Sequence, residues 1–163
     1  MNHVTTLEGP SPSHNPRRAG LALTVQIATR SRRLPALARI RSWARAALAQ
    51  PAQVTLRIVG QREGESLNRE FRRAPRATNV LTFCYDQGRC LAGDVVLCAP
   101  VIAREARAQG KALDAHYAHL MVHGLLHLQG YDHGKSREAR VMEAREVSIM
   151  RRLGFPNPYA KQD

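Results

Sequence analysis

The chain alternates short apolar segments with longer amphipathic ones, and the two kinds differ in how their apolar residues are spaced. Four short segments alternate apolar and polar residues, or run apolar throughout, as strands do. They cover residues 21–28, 54–59, 79–85 and 94–97. Five longer segments repeat apolar residues every three or four positions, as helices with one buried face do. They cover residues 36–50, 65–72, 99–109, 114–129 and the stretch from 136 onward. This order predicts an α+β domain, with a roughly four-stranded mixed sheet covered by helices.

The ends of the chain differ in composition from the segment between them. Residues 1–20 are polar and rich in Pro, Ser and Arg, which predicts a disordered lead-in. Residues 21–159 form the predicted domain, and residues 160–163 form a short tail. Within the domain, Gly110 and Gly130 follow two helices where a left-handed residue commonly ends one. Ser136 is expected to cap the last helix.

The charge balance is strongly basic. The 25 Lys and Arg residues outnumber the 13 Asp and Glu residues, which gives a formal net charge of +12. Nearly all of the basic residues are arginines, whose planar guanidinium groups match the geometry of phosphate oxygens. This composition favours a surface that binds nucleic acid, and the alternative is a solvated surface in a protein with an Arg-biased composition.

The sequence also bears on the compartment. No apolar run approaches the roughly 20 residues that cross a bilayer, and the first residues lack the apolar core of a signal peptide. The chain has three cysteines, Cys84, Cys90 and Cys98, which is an odd number and includes no Cys-x-x-Cys pair. This pattern indicates reduced thiols rather than a disulfide framework. We therefore expect a cytoplasmic protein without membrane contact.

The segment that carries chemistry lies in the helical C-terminal half and reads His123-Gly-Leu-Leu-His127-Leu-Gln-Gly-Tyr-Asp-His133. His123 and His127 are four residues apart on a predicted helix, so their imidazoles project from one face. Both can reach one ion at Zn–N distances of about 2.0–2.1 Å. Gly130 can adopt a positive φ and reverse the chain, so that His133 can close on the same ion. The spacing predicts a zinc site with these three ligands, and the alternative is three separate histidines.

The expected ligand set indicates the class of chemistry. Three protein ligands leave a fourth position for water, as in catalytic rather than structural zinc sites. Metalloproteases of the HExxH type place a glutamate directly after the first histidine as general base. Here that position is Gly124, so the site fits metal-dependent hydrolysis other than proteolysis.

The histidine segment resembles the signature of the YbeY family, the metal-dependent endoribonucleases of bacterial rRNA maturation and ribosome quality control. Other blocks of the chain resemble this family in the same order. They begin at Ser66, Thr78, Leu91, Ala115, Met142 and Leu153. The resemblance covers roughly residues 21–159.

The resemblance implies one zinc ion per chain on His123, His127 and His133, which makes His123 part of the catalytic centre. It also implies a catalytic role for Arg72, whose guanidinium would hold the scissile phosphate. The implied activity is a single-strand-specific endoribonuclease in 16S rRNA 3′-end maturation and ribosome quality control. The implied partners are rRNA, the small ribosomal subunit, and ribosomal or GTPase assembly proteins. For Arg72, the alternative is a surface arginine at a helix end, like Arg73.

The chain departs from the family pattern in two loops. Residues 73–77 read Arg-Ala-Pro-Arg-Ala, and the loop over residues 86–90 is short. Both departures affect the expected placement of substrate rather than the metal ligands.

Several residues near the histidines are expected to stay outside the ligand set. His116 and His119 are expected to line the groove or support a ligand, because three ligands suffice. Asp132 is expected either to orient a ligand histidine or to accept backbone N–H groups in the turn. Glu143 and Glu146 are expected on the exposed face of the last helix, and the alternative is that they reach the site as a base or as a partner of a ligand histidine.

Two other functions stay open from the residues alone. One is a non-catalytic ribosome assembly factor with a structural zinc, which predicts that His127→Ala unfolds the domain. The other is a metal-dependent hydrolase of small substrates such as amides, which predicts little salt dependence of substrate binding.

Overall fold

The computed structural model describes residues 3–7, 20–72, 76–88 and 90–161 of the 163. Its elements, in chain order, are β1 (His3–Leu7), β2 (Leu21–Ala28), α1 (Leu37–Ala47), β3 (Ala52–Val59), α2 (Gln61–Arg72), β4 (Val80–Asp86), β5 (Leu91–Cys98), α3 (Ala99–Ala108), α4 (Leu113–Leu128) and α5 (Ser136–Arg152). These elements confirm the α+β class. None of the helices in the described part of the chain has the length and apolar character that crossing a bilayer requires.

The strands form one mixed sheet in the order β1-β2-β3-β5-β4. The three inner strands β2, β3 and β5 run parallel, and the edge strands β1 and β4 run antiparallel to their neighbours. Strands β3 and β5 are largely buried, as expected for parallel strands covered by helices, whereas in β2 only Leu23 and Val25 are buried. The mixed sheet predicted from the sequence is therefore confirmed, with one strand beyond the expected set.

That additional strand is β1, which lies within the predicted lead-in. Its residues pair antiparallel with β2, from His3 opposite Ile27 to Leu7 opposite Leu23. This strand was not predicted from the sequence, because the strand-forming residues are few and lie within the polar segment 1–20. Residues 8–19 lie outside the described residues.

Helix α4 occupies the centre of the domain. It packs on β4 and β5 on one side and on α1, α3 and α5 on the others, so most of its side chains are buried. Gly124 makes the close approach to the sheet, since a Cβ there would lie 3.0 Å from Cγ1 of Val95 and 3.2 Å from Cγ2 of Thr82. A glutamate would not fit at this position, so packing explains why the general base of HExxH proteases is missing here.

Helix α2 covers the other face of β4. Val80 and Thr82 lie against Gly124 of α4, whereas Leu81 and Phe83 belong to a separate apolar cluster that includes Leu67 of α2. Successive side chains of a strand point to opposite faces. Helices α2 and α4 therefore reach this edge strand from opposite sides.

The helix ends follow most of the expected signals. Gly110 and Gly130 have φ values of 63° and 94°, as expected for residues that end helices in the left-handed conformation. The prediction that Ser136 caps α5 is wrong. A cap residue has extended backbone, which Lys135 adopts, and Ser136 is already the first helical residue.

Candidate metal centre

The three predicted ligand histidines converge at the end of α4. His123 and His127 lie one turn apart on this helix, with ring centroids 4.7 Å from each other. The ring of His133, in the following loop, lies 5.3 Å from that of His123 and 4.8 Å from that of His127. One nitrogen from each ring lies within 4.8 Å of the others, which is a cluster able to hold a metal ion.

The turn between α4 and α5 brings His133 back to the helix. Gly130 supplies the positive φ, and the Asp132 carboxylate then accepts two backbone hydrogen bonds, from His133 at 2.7 Å and Gly134 at 3.2 Å. These two N–H groups lower the pKa of Asp132, so it is ionised in the turn. Asp132 therefore accepts backbone N–H groups in the turn, which is one of the two roles expected for it, rather than orienting a ligand histidine.

A buried carboxylate is hydrogen-bonded to His123. Glu146 of α5 is 0% exposed, and its Oε1 pairs with Nδ1 of His123 in a hydrogen bond. Its Oε2 lies 3.4 Å from Nε2 of His119 and accepts a hydrogen bond from the Tyr159 hydroxyl. Since Nδ1 of His123 is engaged with Glu146, Nε2 is the nitrogen left for a metal.

The electrostatics of Glu146 favour its ionised form. Burial by itself would raise the pKa of this carboxyl, but hydrogen bonds from His119, His123 and Tyr159 lower it to about 2. The pKa of Tyr159 is raised by its own burial and by the hydrogen bond to Glu146, so the hydroxyl stays protonated as a donor. Glu146 is therefore a negative charge at neutral pH, held on three sides by donors.

His127 is neutral in this setting. Burial lowers its pKa, and the neighbouring rings of His123 and His133 lower it further. The charge of Asp132 and the backbone of Tyr131 act on this pKa in the opposite direction. Metal ligands must be unprotonated, so a neutral imidazole is the form that binds an ion.

The geometry can be compared with known families. The family model described as Endoribonuclease YbeY matches residues 26–154, a span that contains all three histidines. The chain belongs to the YbeY family. The YbeY endoribonuclease of Nitrosomonas europaea is 54% identical over 152 residues, which cover 93% of this chain and 91% of that protein. The YbeY endoribonuclease of Aromatoleum aromaticum is 57% identical over 143 residues, which cover 86% and 93%.

A solved structure shares the fold. The solution structure of TM1509 from Thermotoga maritima aligns with a TM-score of 0.51 and 17% sequence identity, over 86% of this chain and 99% of that chain. At this identity the likeness supports the architecture alone.

Arg72 lies apart from the histidines of this YbeY-family chain. It is the last residue of α2 and is exposed. The ring of Phe71 packs edge-to-face on Phe83 of β4 with centroids 4.9 Å apart, on the face opposite α4. Because β4 is an edge strand, Arg72 can approach the histidines only around that edge. Its catalytic role stays a prediction, and residues 73–75 of the altered loop lie outside the described residues.

The remaining candidates divide into those at the centre and those away from it. His119 supports Glu146, as expected for a residue next to the ligand set. His116 is buried and instead pairs with the half-buried Glu105 at 2.7 Å. Glu143 is exposed as predicted. The three cysteines are unpaired, with Cys84 and Cys90 exposed and Cys98 buried.

The expectation that Glu146 is exposed is wrong. Glu146 lies four residues after Met142 and three and four before Ile149 and Met150, all of them buried. This spacing puts the carboxylate on the apolar stripe of α5, so the sequence did contain the signal. Tyr159 was missed because no local pattern marks it, since its partners lie on α4 and α5.

Proposed function

We propose that this YbeY-family chain is a zinc-dependent endoribonuclease that cleaves single-stranded RNA at the site formed by His123, His127 and His133. The observation that carries the proposal is the convergence of three imidazole nitrogens within 4.8 Å, with His123 held by a buried, ionised Glu146. Neutral imidazoles with one carboxylate partner are a donor set that suits zinc. Three side chains of this kind leave room for a substrate oxygen.

The surrounding residues would prepare the histidines for binding. A zinc ion held here would polarise the phosphodiester and lower the pKa of water to about 7. Glu146 accepts the Nδ1 proton of His123 and so fixes the tautomer and the ring orientation. Tyr159 and His119 in turn fix the carboxylate. Asp132 holds the loop that presents His133.

Arg72 completes the proposed catalytic centre. We assign it the scissile phosphate, whose charge its guanidinium would stabilise as the transition state forms. Its exposed position at the end of α2 leaves it accessible to an RNA strand that passes around the edge of β4.

The biological role follows from the family rather than from the geometry. We propose 16S rRNA 3′-end maturation and ribosome quality control in the cytoplasm, on RNA bound to or derived from the small ribosomal subunit. Ribosomal or GTPase assembly proteins are the proposed partners. The net charge of +12 supports a polyanionic substrate.

The test combines metal analysis with cleavage of single-stranded RNA by wild type, His127→Ala and Arg72→Ala. We expect about one zinc ion per wild-type chain, and loss of both metal and cleavage in a folded His127→Ala. Arg72→Ala should keep its metal and lose roughly 100-fold to 1000-fold in kcat. Arg69→Ala is the matched control, since Arg69 is exposed in the same helix one turn earlier.

Three results would contradict the proposal. A wild-type protein that stays metal-free after reconstitution has no such site. Cleavage that survives in metal-free His127→Ala removes the metal from the mechanism. Unfolding of His127→Ala, together with the absence of cleavage in wild type, would support the assembly factor with a structural zinc.

The cleavage products distinguish the two attacking groups. Attack by the 2′-hydroxyl of the RNA leaves a 2′,3′-cyclic phosphate, whereas attack by water leaves a linear phosphate. Analysis of the fragment ends of one defined oligonucleotide therefore decides between them.

A further inference from the structure

Two adjoining clefts lie at the carboxyl ends of the parallel strands, at the end of α4 opposite to His127. The first, of about 420 Å³, is formed by the loop after β2, one side of α3 and the first turns of α4. The second, of about 490 Å³, lies between the same loop and the N-terminus of α2. Ser31 lines both, so the clefts form one continuous surface. We call it the arginine surface, after its basic residues Arg30, Arg32, Arg33, Arg62, Arg107 and Lys111.

The arginine surface carries positive charge without internal compensation. All five of its arginines are exposed, and within the described part of the chain none of them forms an ion pair. The carboxylate that lines the second cleft, Glu63, is already bound by Arg57, with N–O distances of 2.6 and 3.1 Å. Lys111 donates to the carbonyl of Pro158 at 2.8 Å. Clustered cations without counter-ions repel each other, so an anion bound here would lower the energy of the surface.

Uncapped helix ends add to the attraction for anions. Helices α3 and α4 begin at Ala99 and Leu113, which both line the first cleft. Neither helix has a side-chain hydrogen bond from its N-cap residue. The positive end of each helix dipole favours a negatively charged group nearby, and in α4 Asp114 of the first turn already supplies one.

The first cleft also contains a tyrosine hydroxyl that lacks a partner. Tyr117 is 1% exposed and lines this cleft, and no hydrogen bond to its hydroxyl exists among the described residues. A hydroxyl that faces a cleft can donate one hydrogen bond and accept others from a bound group. Tyrosine hydroxyls are among the groups that contact phosphate oxygens in nucleic-acid complexes.

We propose that the arginine surface binds the phosphodiester backbone of the RNA substrate, at a distance from the bond that is cleaved. This inference rests on the proposed function for the identity of the strand. Several cations spread over two connected clefts match a chain of phosphates better than a single phosphate group. Contacts of this kind fix the position of a strand without reading its sequence.

The distance to the histidines sets the length of RNA that can reach both places. Tyr117 and His127 are ten residues apart on α4, which corresponds to about 15 Å along the helix at 1.5 Å per residue. At the rise of about 3.4 Å per nucleotide of a stacked strand, this is about four or five nucleotides. The arginine surface therefore contacts RNA outside the nucleotides at the scissile bond.

The test is the salt dependence of binding of a single-stranded 2′-O-methyl oligonucleotide, which resists cleavage, measured by fluorescence anisotropy. The test variant is Arg32→Gln/Arg107→Gln in the full chain. The control is Arg45→Gln/Arg151→Gln, which removes the same charge from exposed residues in the last turns of α1 and α5. Removing one arginine–phosphate interaction lowers the slope of log K against log salt by about 0.7, so the slope of the test variant should be smaller by about 1.4.

The same relation gives the expected decrease in affinity. If binding converges at 1 M salt, a slope change of about 1.4 means roughly 25-fold weaker binding at 0.1 M salt. In cleavage assays we expect KM for single-stranded RNA to rise by a similar factor, with kcat within about twofold of wild type. The control variant should follow wild type in both measurements.

The outcomes separate this inference from the proposed function. Equal decreases in the test and control variants, or an unchanged slope in the test variant, overturn the arginine surface while RNA cleavage stands. Loss of inorganic phosphate binding in the test variant, with RNA binding unchanged, also overturns it in favour of a small ligand. Wild-type protein that binds RNA without cleaving it would contradict the proposed function. The comparison of salt slopes would still show whether the arginine surface binds RNA.

Discussion

Replacing Glu146 by glutamine tests whether a buried charge controls metal affinity at the histidine cluster. The change keeps the size of the side chain and removes the negative charge that accepts the Nδ1 proton of His123. Groups that support a metal-binding histidine in this way contribute about 10-fold to 100-fold in affinity. This corresponds to about 1.4–2.7 kcal/mol at 1.36 kcal/mol per factor of ten.

The structure favours the upper part of that range. Glu146 is 0% exposed, and both of its oxygens are engaged, so solvent does not screen the interaction with His123. An amide in its place would also present an N–H₂ group toward the hydroxyl of Tyr159 or the ring of His119, which are already donors. We therefore expect zinc affinity to fall by nearly 100-fold.

The assay is a competition titration against a chromophoric chelator, with apo protein as the starting point. Glu143→Gln is the matched control, because Glu143 is exposed in the same helix three residues earlier. Thermal unfolding of both apo variants separates metal affinity from stability. Zinc affinity within twofold of wild type in Glu146→Gln would refute the reasoning, as would an equal decrease in Glu143→Gln.

Three further predictions follow from packing, titration and the turn. Gly93→Ala should lower the free energy of unfolding by about 1–3 kcal/mol in chemical denaturation. The new Cβ would lie 2.7 Å from a backbone carbonyl oxygen of β4 and 2.8 Å from the side chain of Leu128. Gly20→Ala is the control and should leave the free energy of unfolding unchanged, because a Cβ there meets open space. Burial lowers the pKa of His116 below its ordinary value of 6.5, despite the carboxylate of Glu105 beside it. As the pH falls, His116 is therefore protonated in the unfolded chain at a higher pH than in the folded protein, so stability should decrease below about pH 6.5. His116→Gln should flatten that fall, and an unchanged pH profile would contradict the assignment. Asp132→Ala should weaken zinc binding about tenfold in the same chelator titration by releasing the loop, and equal affinities would show that the turn forms without it.

Local patterns predicted the elements well where sequence neighbours also become spatial neighbours. The helix expected over residues 114–129 is α4, Leu113–Leu128, because apolar spacing and a glycine at residue 130 define it within its own span. Strand β1 was not predicted, because its stability depends on pairing with β2 across the segment between them. Short strands have too few residues for composition to reveal them against a polar background.

The same distinction applies to the candidate site. The cluster of His123, His127 and His133 was predicted and is confirmed as able to hold a metal, because eleven consecutive residues contain it. Glu146 was misplaced, since its contact with His123 spans two helices, and a charged residue is seldom assigned to a core. The approach of Arg72 depends on the packing of α2 and on the loop that follows it, which no short pattern specifies.

The unequal settings of the three histidines have a consequence for the kinetics of ion exchange. His123 and His127 are half-buried on the central helix, and Glu146 holds the ring of His123, whereas His133 is exposed in a loop held by the Asp132 turn. Local opening of such a loop needs far less free energy than global unfolding. An ion bound by all three histidines would therefore dissociate in steps, and the bond to His133 would break first. The lifetime of the bound ion would then be set by the stability of a few loop hydrogen bonds rather than by that of the whole domain.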